Sequence, residues 1–139
     1  MIATAEALDA EMAERISRHQ ADRGPEWRTV EAPVDLSSAL AVLEEGDVAV
    51  VDCLTLWLSN LMTREMPLPP AFESLMASID RARADLIFIS NEVGLGIVPD
   101  NALARRFRDQ AGWLHQRLAD RADRVLLVIA GLPVVLKNA

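Results

Sequence analysis

Gly46-Asp47-Val48-Ala49-Val50-Val51-Asp52 holds an unbroken apolar run between two carboxylates. A short valine-rich run without polar alternation suits a strand covered on both faces, as strands of parallel sheets are. Leu86-Ile87-Phe88-Ile89-Ser90 and residues 125–130 repeat the pattern, and Gly131 turns the chain into a final short strand, Val134-Val135-Leu136. Helical segments are expected at residues 54–65, 71–84 and 101–120, with Met66-Pro67-Leu68-Pro69-Pro70 as a rigid connector. Strands alternating with helices predict an α/β fold: a mostly parallel sheet with helices on both faces.

Upstream, Met1-Ile2-Ala3-Thr4 reads as the end of a strand that has lost its beginning. Residues 9–21 then read as a helix, with Met12, Ile16 and His19 or Gln20 recurring on one side, stopped by Arg23-Gly24-Pro25. Trp27-Arg28-Thr29-Val30-Glu31 alternates like a short strand, and Asp35 or Ser37 is placed to cap a helix reaching Glu45. No repeat, low-complexity segment or boundary divides residues 1–139, so one domain is expected.

The 139 residues carry 14 Lys+Arg against 21 Asp+Glu, a formal net charge of −7. Binding nucleic acid through its phosphates needs a basic stripe, so that class of partner is excluded. Apolar residues at 51% and charged residues at 25% match a globular chain rather than a disordered one. Cys53 is the only cysteine, which excludes an intrachain disulfide and a multi-cysteine zinc cluster. The first residues lack the basic and apolar regions of a secretory signal, and the longest apolar run, residues 125–136, is too short to span a bilayer. A soluble cytoplasmic protein is expected.

Ligands of parallel α/β sheets bind at the carboxyl ends of the strands. Asp52 ends one such strand, and Ser90-Asn91-Glu92 follows another. A strand-end carboxylate commonly holds magnesium in nucleotide-binding α/β proteins. The pattern alone favours a plainer role, in which Asp52 caps the next helix through N–H groups near Thr55. His19 lies four residues after Arg15, so the two share a helix face. A neutral imidazole can attack phosphorus while a guanidinium neutralises the phosphoryl oxygens. Beside Arg18 and Gln20, however, a solvent-facing histidine is the simpler reading, and His115 reads as structural or surface.

Asn91-Glu92-Val93-Gly94-Leu95-Gly96 has the form of a glycine-bearing ligand loop, though any tight turn uses such glycines. Arg105, Arg106 and Arg108 either meet phosphate or form a solvated face with Asp109 and Asp120. Trp27, Trp57 and Trp113 read as core or interface anchors. The chain contains no His-Glu-x-x-His, no Gly-x-Ser-x-Gly and no Gly-x-x-x-x-Gly-Lys-[Ser/Thr], and its one lysine is Lys137.

The combination of segments is more specific than any one of them. Ala3-Thr4-Ala5, residues 9–19, Trp27-Arg28-Thr29-Val30-Glu31, Val51-Asp52-Cys53-Leu54-Thr55-Leu56-Trp57 and above all Ser90-Asn91-Glu92-Val93-Gly94-Leu95-Gly96-Ile97-Val98-Pro99-Asp100-Asn101 stand in one order. In that order they resemble the bifunctional adenosylcobinamide kinase / adenosylcobinamide-phosphate guanylyltransferase family over nearly the whole chain. The resemblance implies a P-loop, RecA-like sheet, magnesium, and GTP and ATP as substrates together with adenosylcobinamide and its phosphate. It implies phosphorylation of adenosylcobinamide, then transfer of GMP from GTP through a guanylylated histidine, which falls at His19. It places the magnesium-associated carboxylate at Asp52, a phosphate-binding role at Arg15, and Glu92 in the family's characteristic loop. It also implies a homotrimer. Family members begin with a strand, a glycine-rich phosphate loop and a helix, all expected to be missing before Met1. Two outcomes follow: a guanylyltransferase with weak GTP binding, or a non-catalytic nucleotide-binding, corrinoid-binding or oligomerisation remnant.

Overall fold

A computed structural model describes residues 1–21 and 24–138. In chain order the elements are β1 (Ile2–Ala3), α1 (Ala10–Ala21), β2 (Val30–Glu31), α2 (Leu36–Ala41), β3 (Val48–Asp52), α3 (Leu54–Thr63), α4 (Leu68–Arg81), β4 (Asp85–Ile89), α5 (Ala102–Arg121), β5 (Arg124–Ile129) and β6 (Leu132–Asn138). They fall into two compact units, one ending at Glu92 and one starting at Val93. Of the expected helix stop at Arg23-Gly24-Pro25, Arg23 lies outside the described residues.

The first unit is a four-stranded parallel sheet in the order β2-β1-β3-β4. Its register aligns Ile2 with Val51 and Val51 with Phe88, and one residue on, Ala3 with Asp52 and Asp52 with Ile89. Side chains alternate between faces along a strand, so Ile2, Ala49, Val51 and Phe88 share one face. Ile2, Ala49 and Val51 are buried there. Val48, Ile87 and Ile89 line the opposite face and are more than two-fifths exposed. The chain moves one way across the sheet from β1 to β2 and the other way from β2 to β3 and β3 to β4. Right-handed crossovers therefore put α1 on one face and α2, α3 and α4 on the other.

The covered face holds the core. Leu54, Trp57, Leu58 and Leu61 recur at helical spacing on α3, as do Leu68, Phe72, Leu75 and Met76 on α4, and all are buried. Each such side chain stabilises the fold by roughly 1.5–3 kcal/mol through burial. Trp57 lies at the centre, its ring 6.0 Å from that of Phe72 and its indole N–H donating to the Val34 carbonyl at 2.6 Å. Helix α2 packs on α4, where the Ser37 and Ser74 hydroxyls meet at 2.8 Å. By contrast α1 buries no residue, and its apolar Met12 and Ile16 stay half-buried.

Helix boundaries differ from expectation at two places. Pro69 and Pro70 belong to the first turn of α4 rather than to a connector, because first-turn N–H groups have no intrahelical acceptor to lose. Helix α2 stops at Ala41 instead of reaching Glu45. A turn takes over, in which Asp47 donates its N–H to the Glu44 carbonyl, its carboxylate accepts from the Glu44 N–H, and Gly46 adopts φ 93°.

The second unit holds α5 and a hairpin. Residues 125–130, expected as a further strand of the parallel sheet, instead pair antiparallel with β6 in a two-stranded sheet of their own. Ala130 and Gly131 have φ of 52° and 76°, the left-handed pair of a type I′ turn, which reverses the chain directly and so forces antiparallel pairing. Lys137 donates to the Ala119 and Asp120 carbonyls at the end of α5, satisfying orphan acceptors where the helix dipole is negative.

Asp35 caps α2 by accepting from the Ser38 hydroxyl at 2.6 Å and the Ser38 N–H at 3.0 Å. These bonds, the hydroxyl's above all, hold its carboxyl below the ordinary carboxylate value. A depressed folded pKa gives stability that is complete above the unfolded value and lost as pH falls through the folded one. Asp35→Ala is therefore expected to lower stability by about 1 kcal/mol at pH 7. In urea titrations the gap should close below pH ~4; a constant gap down to strongly acid pH would contradict the cap.

Candidate active site

At the carboxyl edge of the first unit, Glu31, Ala3, Asp52 and Ile89 stand in one row across β2, β1, β3 and β4. Alternation puts Asp52 on the face away from α2, α3 and α4, where it is half-buried. Helix α3 begins immediately after it, with Cys53 as N-cap residue and no side-chain cap. The N-cap position itself thus belongs to Cys53 rather than to Asp52. Asp52 and the first turn of α3 adjoin at the end of β3, and the dipole of α3 favours negative charge at that turn.

The junction is held by Thr4, which is fully buried. Its N–H donates to the Asp52 carbonyl at 3.0 Å. Its hydroxyl donates to the Cys53 carbonyl at 2.7 Å and accepts from the Cys53 N–H at 2.8 Å. The Thr4 carbonyl in turn accepts from the Asn60 side chain at 2.8 Å, and the same amide nitrogen reaches the Pro33 carbonyl at 2.9 Å. On the other side, Thr55 meets the Cys53 thiol at 3.2 Å and accepts from the Asn91 amide at 3.2 Å. Asn91 thus ties the segment after β4 to the start of α3, and Glu92, its exposed neighbour, follows.

Arg15 and His19 lie on α1, which right-handed crossovers assign to the face that carries Asp52. His19 is exposed in the last turn. Arg15 makes a long 3.9 Å ion pair with Glu11 on its own helix. Among the described residues, no hydrogen bond or ion pair joins either of them to Asp52 or Glu92. Helix α1 is capped by Asp9, which accepts from the Met12 N–H at 2.7 Å. After β1, Glu6 pairs with Arg64 at 2.7 Å, and this guanidinium holds the Glu6 carboxyl below its usual range.

In the second unit, Arg105 donates to the Pro99 and Asp100 carbonyls at 2.9 and 2.6 Å, which folds the loop against the start of α5. Its charge supports the backbone there. Asn101 caps α5 by accepting from the Ala104 N–H at 3.1 Å. A Cβ added at Gly96 would meet nothing within 4 Å, so neither packing nor a left-handed backbone requires glycine at that position. Leu95 and Ile97 beside it are 81% and 97% exposed, an apolar tip that the unit itself does not use. Of the three tryptophans only Trp57 is core; Trp27 and Trp113 are exposed. Sequence reasoning passed over Thr4, Thr55 and Asn60, because a buried threonine at a strand end carries no periodic signal and its partners lie far off in the chain.

Comparison with known proteins gives these positions a context. The sequence profile of the cobinamide kinase / cobinamide phosphate guanyltransferase family matches residues 1–136. The chain belongs to that family. It is 47% identical over 140 residues to the bifunctional adenosylcobalamin biosynthesis protein CobP of Pseudomonas aeruginosa, covering 99% of this chain and 81% of that protein. It is 38% and 37% identical over 152 residues to the corresponding CobU proteins of Salmonella typhimurium and Escherichia coli, covering 98% of this chain and 84% of each. Family membership sets the chain in cobalamin biosynthesis as a protein of the bifunctional type, and the α/β unit with its parallel sheet agrees with the fold expected of that family.

No cluster of three or more His, Cys, Asp or Glu side chains able to hold a metal occurs among the described residues. Magnesium carried by a nucleotide keeps its waters and binds through one or two carboxylates plus phosphates, and a strand-end carboxylate such as that of Asp52 is a donor of that kind. No helix of the described residues is long and apolar enough to cross a membrane.

The Asn60 amide satisfies two carbonyls at once, those of Thr4 and Pro33. Asn60→Ala is expected to cost about 1–3 kcal/mol in urea unfolding and to raise hydrogen exchange in residues 32–36. A change below ~0.5 kcal/mol, the level of an ordinary surface substitution, would show that the link carries no load.

Proposed function

We propose that the chain phosphorylates adenosylcobinamide and transfers GMP from GTP to adenosylcobinamide phosphate, with His19 as the nucleophile. The observation that carries this reading is the junction of β3 and α3, where Asp52 ends a strand at the carboxyl edge of the sheet and is followed by the first turn of α3, whose N–H groups suit phosphate oxygens. The family match over residues 1–136 supports it independently.

In the guanylyl transfer, the neutral His19 imidazole attacks the α-phosphorus of GTP, forming a P–N bond as pyrophosphate leaves with the broken P–O bond. A phosphate oxygen of adenosylcobinamide phosphate then attacks the same phosphorus, and the imidazole departs. Arg15, one turn before His19 on α1, neutralises charge on the phosphoryl oxygens once it leaves its long pair with Glu11. In the kinase step the γ-phosphoryl group of ATP passes to the aminopropanol hydroxyl of the corrinoid. Asp52, with Glu92 three residues beyond the end of the adjacent strand β4, would hold nucleotide-bound magnesium, whose chemistry is neutralisation of phosphate charge.

The reading extends to the chain as a whole. Both units act as one domain over residues 1–139, in the cytoplasm, on small-molecule substrates and as a homotrimer. A second reading, a non-catalytic nucleotide- or corrinoid-binding or oligomerisation role, is favoured by the exposed Val48, Ile87 and Ile89 on the open sheet face.

Incubation with GTP and magnesium followed by intact-mass spectrometry separates the two. A GMP-sized adduct on the unsubstituted chain, absent from His19→Ala, is expected. An adduct that persists in His19→Ala would move the nucleophile elsewhere, and no adduct on either chain would favour the non-catalytic role.

A further inference from the structure

We propose that Thr4 is a positioning residue for the Asp52 carboxylate, acting through the peptide that joins Asp52 to Cys53; the inference rests on the reading of Asp52 as the nucleotide-facing carboxylate. That peptide unit has two polar atoms, the Asp52 carbonyl oxygen and the Cys53 nitrogen, and Thr4 holds both, one through its N–H and one through its hydroxyl. The same hydroxyl also donates to the Cys53 carbonyl. One residue thereby fixes the backbone on which the strand ends, the carboxylate stands and α3 begins.

The clamp is itself immobilised. Thr4 is 0% exposed, against 7% and 6% for the buried Thr55 and Ser78. Its carbonyl is tied to Asn60 on α3, so the backbone of Thr4 cannot shift without moving that helix. Its β-branched side chain has few χ1 states to choose from, which keeps the hydroxyl aimed at Cys53. Asp52 is only half-buried at the end of β3, and its orientation follows that of its own backbone. A strand pair could be stabilised by apolar contact alone, and valine has the shape of threonine. What valine cannot do is donate to and accept from one neighbouring residue at the same time.

The test is the affinity of the 139-residue chain for GTP by calorimetry, with magnesium and with EDTA, the readout being the dissociation constant in EDTA divided by that in magnesium. Thr4→Val is expected to lower that ratio about tenfold or more, the usual loss when a partner that orients a metal ligand is removed. Thr4→Ser, which restores the hydroxyl, should stay within about threefold of the unsubstituted chain. Leu75→Val, in the core of α4, should lower the urea midpoint and leave the ratio alone. Where Thr4→Val does not fold, Thr4→Ala is read instead, with the same expected direction. Asp52→Asn separates the two claims. If Asp52→Asn abolishes the magnesium effect and the Thr4 variants leave it unchanged, the positioning role is overturned and the site stands. If Asp52→Asn changes nothing, or the unsubstituted chain shows no magnesium effect, the site reading falls and this inference with it.

Discussion

One hydroxyl, on Thr4, keeps a two-residue strand at the middle of a parallel sheet and sets where the next strand ends. Strand β1 is flanked by β2 and β3, yet it is too short to hold its place by its own ladder bonds. The hydrogen bonds of Thr4 to Asp52 and Cys53, and of Asn60 to Thr4, extend that hold past the strand. Leaving any of these buried groups unpaired costs on the order of 1–3 kcal/mol, and no buried side-chain nitrogen or oxygen among the described residues lacks a partner. The candidate site and the stability of the sheet therefore share one set of atoms.

That sharing explains the division of labour across the sheet. The face carrying Ile2, Ala49 and Val51 is buried beneath α2, α3 and α4 and supplies cohesion. The opposite face carries Asp52 at its carboxyl edge and leaves Val48, Ile87 and Ile89 exposed. A rigid, covered side behind a strand-end carboxylate keeps that group in one place, while the open side is where a ligand has room to bind.

Much of this was legible in the residues. The run from Val48 to Val51 and the one from Leu86 to Ile89 are strands because both are apolar throughout, and their parallel pairing follows from the helices between them. Asp35 and Asn101 announce their helices because capping is a local interaction, made within three residues. The strand at residues 124–129 was legible as a strand and not as half of a separate hairpin, because apolar periodicity names an element without naming its partner. The role of Thr4 was invisible for a related reason: its partner lies 49 residues away. Asp52 lies between two readings because a carboxylate at a strand end suits a helix cap and a metal alike, and the structure gives the N-cap position of α3 to Cys53. His19 and Arg15 draw their interest from family membership, since an exposed helix turn looks the same whatever its chemistry.

The account's central claim is that the carboxyl edge around Asp52 receives a nucleotide together with its metal. The most direct measurement is a crystal of the chain soaked with GTP and manganese, read by anomalous difference density. Manganese within coordination distance of the Asp52 carboxylate, with nucleotide phosphates at the start of α3, is the predicted result. Ordered nucleotide and manganese bound away from that edge, with Asp52 untouched, would contradict it.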